Sequence, residues 1–232
     1  MSSEQRILRR QATHLICLGI LLGGVYAASL LPGFHDGAFL GVDSDTWLCL
    51  AIVNATIHQW FVWLCWRTEL YWQTLTRLLG SSAFTSYAVV FALLIVARPL
   101  LVTALAIANS GTLAIDATIS RTAATLLLAP VFYLAYSIHR YFGFTRAMGI
   151  DHFDPSYRRR PLVRAGIFRF TSNAMYVFGL LVLWIPALYM RSTAAIAVAA
   201  FSHLYIWVHY LCTEKPDMEA IYGGEQSGVA TA

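Results

Sequence analysis

Six long apolar runs alternate with short polar segments along the chain, and the spacing predicts a bundle of spanning helices. About 20 apolar residues, each rising about 1.5 Å, cross a bilayer. Leu15–Leu31, Trp47–Trp66, Phe84–Ala108, Ala123–Phe142, Met175–Met190 and Ala194–Leu211 meet or approach that length. Tryptophans flank the second run, as suits interfacial rings. Arg98-Pro99 breaks the third, and Pro130 predicts a kink in the fourth. The segment Arg67–Ser82 mixes leucines with Arg67, Glu69 and Arg77, and reads as a short amphipathic helix lying on the surface. Only Arg191-Ser192-Thr193 joins the last two runs, which therefore form a tight antiparallel hairpin. The predicted fold is all-α: a polytopic membrane protein of about six transmembrane helices with a C-terminal helical hairpin.

Composition supports this and sets the orientation. The chain is 58% hydrophobic and 12% charged, with mean hydropathy +0.61, whereas soluble domains carry roughly a quarter charged residues. Its net charge of +4 does not imply nucleic acid, because the positive residues gather in connecting segments. Arg6, Arg9 and Arg10, then Arg67 and Arg77, then Arg140 through Arg169 fall on one side of a six-span arrangement, while Pro32–Asp45 carries Asp36, Asp43 and Asp45 but no Lys or Arg. Both termini are thus expected in the cytosol, of a bacterial inner membrane or an endoplasmic reticulum. The N-terminal run is long enough to span and no small-residue cleavage site follows it, so it does not read as a cleaved signal. Cys17, Cys49, Cys65 and Cys212 show no CxxC and no metal spacing, and no metal is expected. One domain is expected: N-terminal helices over 1–122, a core over 123–224 and a disordered tail, Glu225–Ala232.

Several polar residues lie inside the runs. Arg98 stands near mid-span, where an arginine costs about 2.5–3.5 kcal/mol; it either binds a lipid phosphate or buried carboxylate, or snorkels and pairs at the Pro99 break. Asn54 and His58 share a face of the second run, with Gln59 beside them, and either bond between helices or touch an acceptor headgroup. His203 and His209 read first as packing residues, with His209 the nearer to the polar tail. His139 and His152 read as solvated histidines at the interface.

The most basic interruption is Tyr157–Gly179, YRRRPLVRAGIFRFTSNAMYVFG. It carries Arg158, Arg159, Arg160, Arg164 and Arg169, and if helical it places Arg169, Asn173 and Tyr176 on one face. Arg158–Arg160 alone would do no more than fix topology. The hairpin, however, brings this stretch to the same side as Thr213-Glu214-Lys215-Pro216-Asp217, where Pro216 can start a helix with Asp217 and Glu219 in its first turn. Met218, Ile221 and Tyr222 would then pack back on the bundle. Two polar clusters at the two ends of one hairpin make a pocket.

Those residues resemble a known family. GIFRFTSNAMYVFG (Gly166–Gly179) is similar to a signature of membrane methyltransferases, the phospholipid N-methyltransferases and isoprenylcysteine carboxyl methyltransferases, and TEKPDMEAIYG (Thr213–Gly223) to their second signature. Asn173–Tyr176 and the Glu214–Tyr222 spacing resemble phosphatidylethanolamine N-methyltransferases most, and Met148–Phe153 resembles a turn of those enzymes more loosely. The resemblance covers about the C-terminal 90 residues. The chain departs from it in having Asn173-Ala174 where a proline is usual, Glu214-Lys215 where two carboxylates are usual, and Gly143 alone where a Gly-x-Gly is usual.

The resemblance implies S-adenosylmethionine as methyl donor in a cytosolic pocket, and a lipid acceptor entering from the bilayer. It implies donor contacts from Gly143, Arg164, Arg169, Asn173, Tyr176, Glu214 and Lys215. Glu214 is the candidate to take a proton from a lipid ammonium, with His209 and Tyr176 as further catalytic candidates. Tyr176, Tyr210 and Tyr222 would face cationic groups. Arg98, His58, Asn54 and Tyr210 are the lipid-side candidates. The partners implied are a phospholipid or other lipid and the bilayer, with a homo-oligomer left open. Within this class the acceptor is the amine of phosphatidylethanolamine or its methylated forms, or a prenylated cysteine carboxylate, or a small thiol. Outside it stand a small transporter built on Arg98-Pro99 and a non-catalytic scaffold; the first lacks an inverted repeat and the second leaves both motifs unexplained.

Overall fold

Backbone polar groups in hydrocarbon must be satisfied within the chain, and these apolar runs accordingly form helices. The computed structural model of the protein describes residues 3–158 and 160–226. A short helix, Ser3–Ile7, leads into α1 (Gln11–Ser29). A two-stranded hairpin, β1 (Ala38–Phe39) and β2 (Val42–Asp43), precedes α2 (Ser44–Trp72). There follow α3 (Thr74–Leu79), α4 (Ala83–Ala108), α5 (Ala117–Ser137), α6 (Leu181–Tyr189), α7 (Thr193–His209) and α8 (Lys215–Gln226). Among the described residues five helical stretches are long and apolar enough to cross a membrane, Glu4–Ser29, Ser44–Trp72, Thr74–Ala108, Ala117–Phe142 and Thr193–Tyr222, and Met175–Tyr189 is a shorter sixth. The chain is an all-α, polytopic integral membrane protein.

The helices meet through small residues. Ala194, Ala195, Val198 and Ala199 of α7 pack against Val102, Leu105 and Ala106 of α4 and Leu183 and Ala187 of α6. Without a hydrophobic force between helices in lipid, such close backbone approach supplies the packing. At mid-span, Asn54 Nδ2 donates to the Leu94 carbonyl at 3.1 Å, and Arg98 Nη2 contacts the Ala55 carbonyl and His58 Nδ1, both at 3.2 Å. These three residues clamp α2 to α4 where Pro99 interrupts the ladder of α4.

The α6–α7 turn defines one end of the bundle, and Asn109 ties it together. Its Nδ2 donates to the carbonyls of Gly33, Phe34 and Asp36 at 2.8, 3.1 and 2.9 Å. Its Oδ1 accepts from Thr112 Oγ1, Ser192 Oγ and the Ala194 amide at 2.8, 2.9 and 3.1 Å. Gly37 beside it has φ +93°, and a Cβ there would lie 2.0 Å from the Ala108 carbonyl oxygen. At the opposite end, which carries both polar clusters, α6 starts late. Met175–Tyr189 rises only about 22 Å, against roughly 30 Å of hydrocarbon. The chain before it is drawn into the bundle, with Ile167, Phe168 and Ala174 buried.

Two local expectations are corrected. Arg67 and Glu69 do not lie on a surface helix: α2 runs on to Trp72, and both side chains are buried. Glu69 is held because its carboxylate accepts from the Leu75 and Thr76 amides at 2.8 and 3.1 Å and from the Thr76 hydroxyl, capping α3. Arg169 and Tyr176 do not share one continuous helix either. A 3-10 turn, Gly166–Arg169, ends before Asn173, and a π-helical turn begins at Met175. Gly166, at φ +59° with Ser137 and Tyr141 where a Cβ would stand, opens the 3-10 turn. Of the expected tail, Glu225 and Gln226 fall within α8, and residues 227–232, like Arg159, lie outside the described residues.

Asn109→Ala should lower stability by about 1–3 kcal/mol, because it strands carbonyls of one loop and donors of another. Thermal unfolding in detergent checks this, and Asn109→Asp, which keeps Oδ1 but loses the donors, should cost at least as much.

Candidate functional site

Three helix ends in the motif region share an irregularity. The π-helical turns Ile138–Phe142, Met175–Gly179 and Tyr210–Glu214 close the fourth span, open the fifth and close the sixth. Such turns are rare and concentrate at functional sites, because they displace side chains from regular helical register.

The third of these turns has a sequence cause. Pro216 has no N–H, so the Cys212 carbonyl lacks the donor that a regular helix would give it. Arg67 replaces it: Nη2 donates to the Cys212 carbonyl at 2.7 Å and reaches the Thr213 carbonyl at 3.4 Å. Arg67 Nε donates to the Asp217 carboxylate at 3.1 and 3.4 Å, and Nη1 to the Ile7 and Arg9 carbonyls at 2.8 and 2.7 Å. All five guanidinium hydrogens are used, at 0% exposure. The N-terminal segment adds Arg10 Nη1, which donates to the Leu211 carbonyl at 2.9 Å.

Next to this knot, Glu214 is treated differently. Its Oε2 is buried with no hydrogen-bond partner among the described residues. The Asp217 and Asp151 carboxylates act on it with like charge. Asp217 is neutralised by Arg67, with His152 Nε2 at 3.7 Å. Asp151 accepts from the Tyr222 hydroxyl and lies 3.9 Å from Arg146 Nε. Glu214 is the carboxylate of the three left free.

Tyr210, at the other end of the same π turn, belongs to an aromatic corner. Ring centroids of Tyr176 and Tyr210 are 5.6 Å apart, Tyr176 and Trp207 6.0 Å, and Trp207 and Tyr210 5.8 Å, all steeply inclined. All three are half-buried, so one ring surface of the corner stays accessible to a cation.

The segment 143–153 forms the facing wall. Gly143 leaves the first π turn at φ +87° with open space where a Cβ would stand. His152 is buried, not solvated: its ring stacks on Trp66 at 4.2 Å and 16°. Gly149 lies at φ +81° beneath the same indole, where a Cβ would come within 2.4 Å of Trp66. Arg158 fixes the turn by donating to the Asp151 and His152 carbonyls at 2.9 and 3.2 Å.

The structure therefore brings together Asn173, Tyr176, Tyr210 and Glu214 at one bundle end, adds Trp207, and leaves Tyr222 on Asp151 rather than in the corner. The Asn173 side chain makes no hydrogen bond among the described residues. Arg164, Arg169 and Lys215 are exposed, Arg169 lying over the Phe170 ring at 4.6 Å. His209 is buried behind the site, 5.9 Å from Trp66 and 6.2 Å from His14 between ring centroids, with neither ring nitrogen bonded among the described residues. Asn54, His58 and Arg98 form the separate mid-span clamp. His203 Nδ1 accepts from Trp184 Nε1 at 3.2 Å and so joins α6 to α7. Two open surface depressions, one around Arg121 and Thr125, the other around Trp72 and Arg77, share no residue with the site.

Residues 119–225, which hold all three π turns, match the family model described as phospholipid methyltransferase. This part of the chain is similar to that family. No curated protein and no solved structure matches the chain. The matched residues include both polar clusters. Trp66, Arg67 and Tyr87 lie outside the matched residues, and sequence reasoning passed over them. Arg67 carried one legible signal, Pro216 and the carbonyl it orphans, but nothing in the sequence pairs the two. Asp151 and His152 were hidden because rings and charges in a polar turn look solvated until the turn is packed, and Trp207 because it is one more ring in an apolar run.

Glu214→Gln should leave the fold intact and raise its stability by about 1 kcal/mol or more, since a buried carboxylate without a partner is costly. A fall in the unfolding temperature would reveal a partner that holds the charge.

Proposed function

We propose that the protein transfers a methyl group from S-adenosylmethionine to a lipid acceptor at the cytosolic face of the membrane, the acceptor being the amine of phosphatidylethanolamine or of its methylated derivatives. The observation that carries this reading is the buried Glu214 Oε2, without a partner among the described residues, in the same π turn as Tyr210 of the Tyr176–Trp207–Tyr210 corner, within the family-matched residues. The residues fit a cationic donor: an unbonded carboxylate oxygen, an unbonded Asn173 amide and three inclined rings. Asn173, Tyr176, Tyr210 and Glu214 would hold it, with Gly143 leaving room for its approach. Bound there, S-adenosylmethionine supplies an electrophilic methyl group on a sulfonium.

The protein's own work is alignment and one proton. An ammonium has no lone pair, so the lipid nitrogen must lose a proton before it can attack. Glu214 Oε2 has a vacant acceptor position and takes that proton. The rings face a methylated ammonium, which has fewer N–H groups for a carboxylate but keeps its charge for an aromatic face. Arg164 and Arg169, exposed on the approach, offer bidentate contacts to a lipid phosphate. The late start of α6 recesses the site toward the depth of the lipid headgroups, so the amine need not leave the bilayer. Orientation of the two molecules supplies several kcal/mol of the barrier reduction, about 7 or more in favourable cases.

Purified protein in phosphatidylethanolamine vesicles, given methyl-labelled S-adenosylmethionine, should yield labelled lipid in the organic extract, identified by mass spectrometry. Glu214→Ala should lower that transfer about a hundredfold or more with the protein folded. Glu219→Ala, an exposed residue 4.0 Å from Arg9, should leave it unchanged. Label on a prenylated cysteine carboxylate or a small thiol instead of lipid amine would reassign the acceptor, and wild-type transfer by Glu214→Ala would remove Glu214 from the chemistry.

A further inference from the structure

The tail motif and the Met148–Phe153 turn meet through the Tyr222 hydroxyl on Asp151 and through His152 beside Asp217, and both also rest on the end of α2. Arg67 holds the tail motif, through the Cys212 and Thr213 carbonyls just before Glu214 and through Asp217 just after it. The adjacent residue, Trp66, holds the other wall, by stacking on His152 and by filling the space above Gly149 that no side chain could share. His152 Nε2 in turn lies 3.7 Å from Asp217, closing the ring of contacts. Trp66 Nε1 and Tyr87 OH, also buried, have no hydrogen-bond partner among the described residues.

We propose that Trp66 and Arg67, outside residues 119–225, are positioning residues of the methyl-donor site. They set the separation of the Gly149–His152 turn from Glu214, and so the width of the space in which the donor is held. The inference rests on the methyl-donor reading above. Its physical basis is that, among the described residues, no hydrogen bond fixes the buried Glu214 Oε2. Its place is dictated by the backbone on either side, and that backbone is gripped by one guanidinium. A lysine there keeps the charge but offers one nitrogen in place of a planar fork, and cannot reach Asp217, the Cys212 carbonyl and the Ile7 carbonyl together. Misplacement of a binding group by about 1 Å can cost on the order of a hundredfold.

The test uses the full chain in nanodiscs containing phosphatidylethanolamine, with S-adenosylhomocysteine as the probe. Arg67→Lys should weaken S-adenosylhomocysteine binding about tenfold or more and raise the donor KM alike, while the lipid KM stays within about twofold. Trp66→Phe, which keeps a ring of smaller area, should give a smaller shift in the same direction. A purely architectural role would move donor and lipid constants together, and that result, or wild-type donor affinity in folded Arg67→Lys, overturns the proposal. Should the variants not fold, hydrogen exchange on the wild-type protein decides. Adding S-adenosylhomocysteine should slow exchange at residues 7–11, which bond Arg67 but lie far from the family motifs in sequence, as well as at 212–217. Unchanged exchange at 7–11 with protection at 212–217 overturns it. No binding of S-adenosylhomocysteine by the wild-type protein defeats the methyl-donor reading itself, and this inference with it.

Discussion

A guanidinium cannot shed its proton, so a fully buried one must be met on every side by acceptors. Arg67 is met by a carboxylate and four backbone carbonyls, drawn from the N-terminal segment, the end of the sixth span and the first turn of α8. These pieces are far apart in sequence and would otherwise have no reason to converge. Removing any one leaves a charge or a carbonyl stranded at the membrane boundary, where that costs most. The arrangement of the motif end follows from this one side chain. The Pro216 carbonyl defect becomes a binding point, α8 turns back across the bundle, and Glu214 is left between two anchored positions without an anchor of its own.

The same logic runs through the site. Charges with a structural task are paired: Asp217 with Arg67, Asp151 with Tyr222 and Arg146, Glu69 with the amides that open α3. Glu214 Oε2 is buried and unpaired among the described residues, and Tyr210 at the other end of its π turn meets Tyr176 and Trp207 at steep angles with part of the ring surface open. A packed interior has no use for such a carboxylate. A site that must accept a proton and hold a cation does.

Much of the architecture was legible in the chain. The six apolar runs, the tight α6–α7 turn and the start of α8 at Lys215-Pro216 follow from length, loop length and helix-start chemistry, all of them local. The pairing of Asn173 and Tyr176 with Tyr210 and Glu214 was legible one step further out, because a short hairpin leaves no other arrangement. What escaped depends on contacts between distant segments. Arg67 reads as a surface arginine in a charged linker, and only its partners reveal that it is buried. His152 reads as solvated, and only Trp66 makes it a core ring. The expected face from Arg169 to Tyr176 failed because the chain leaves a 3-10 turn at Arg169 and re-enters a helix, as a π turn, only at Met175. Arg98, which stood out most as a charge in the membrane, bonds with Asn54 and His58 into the α2–α4 clamp, away from the site.

The most direct measurement is an experimental structure of the full chain with S-adenosylhomocysteine bound. The ligand should lie between the Tyr176–Trp207–Tyr210 corner and the Gly149–His152 turn, within hydrogen-bonding reach of Glu214, with the Arg67–Asp217 pair intact behind it. Ligand bound elsewhere in the bundle, or bound there with Glu214 turned away and uninvolved, would contradict the assignment.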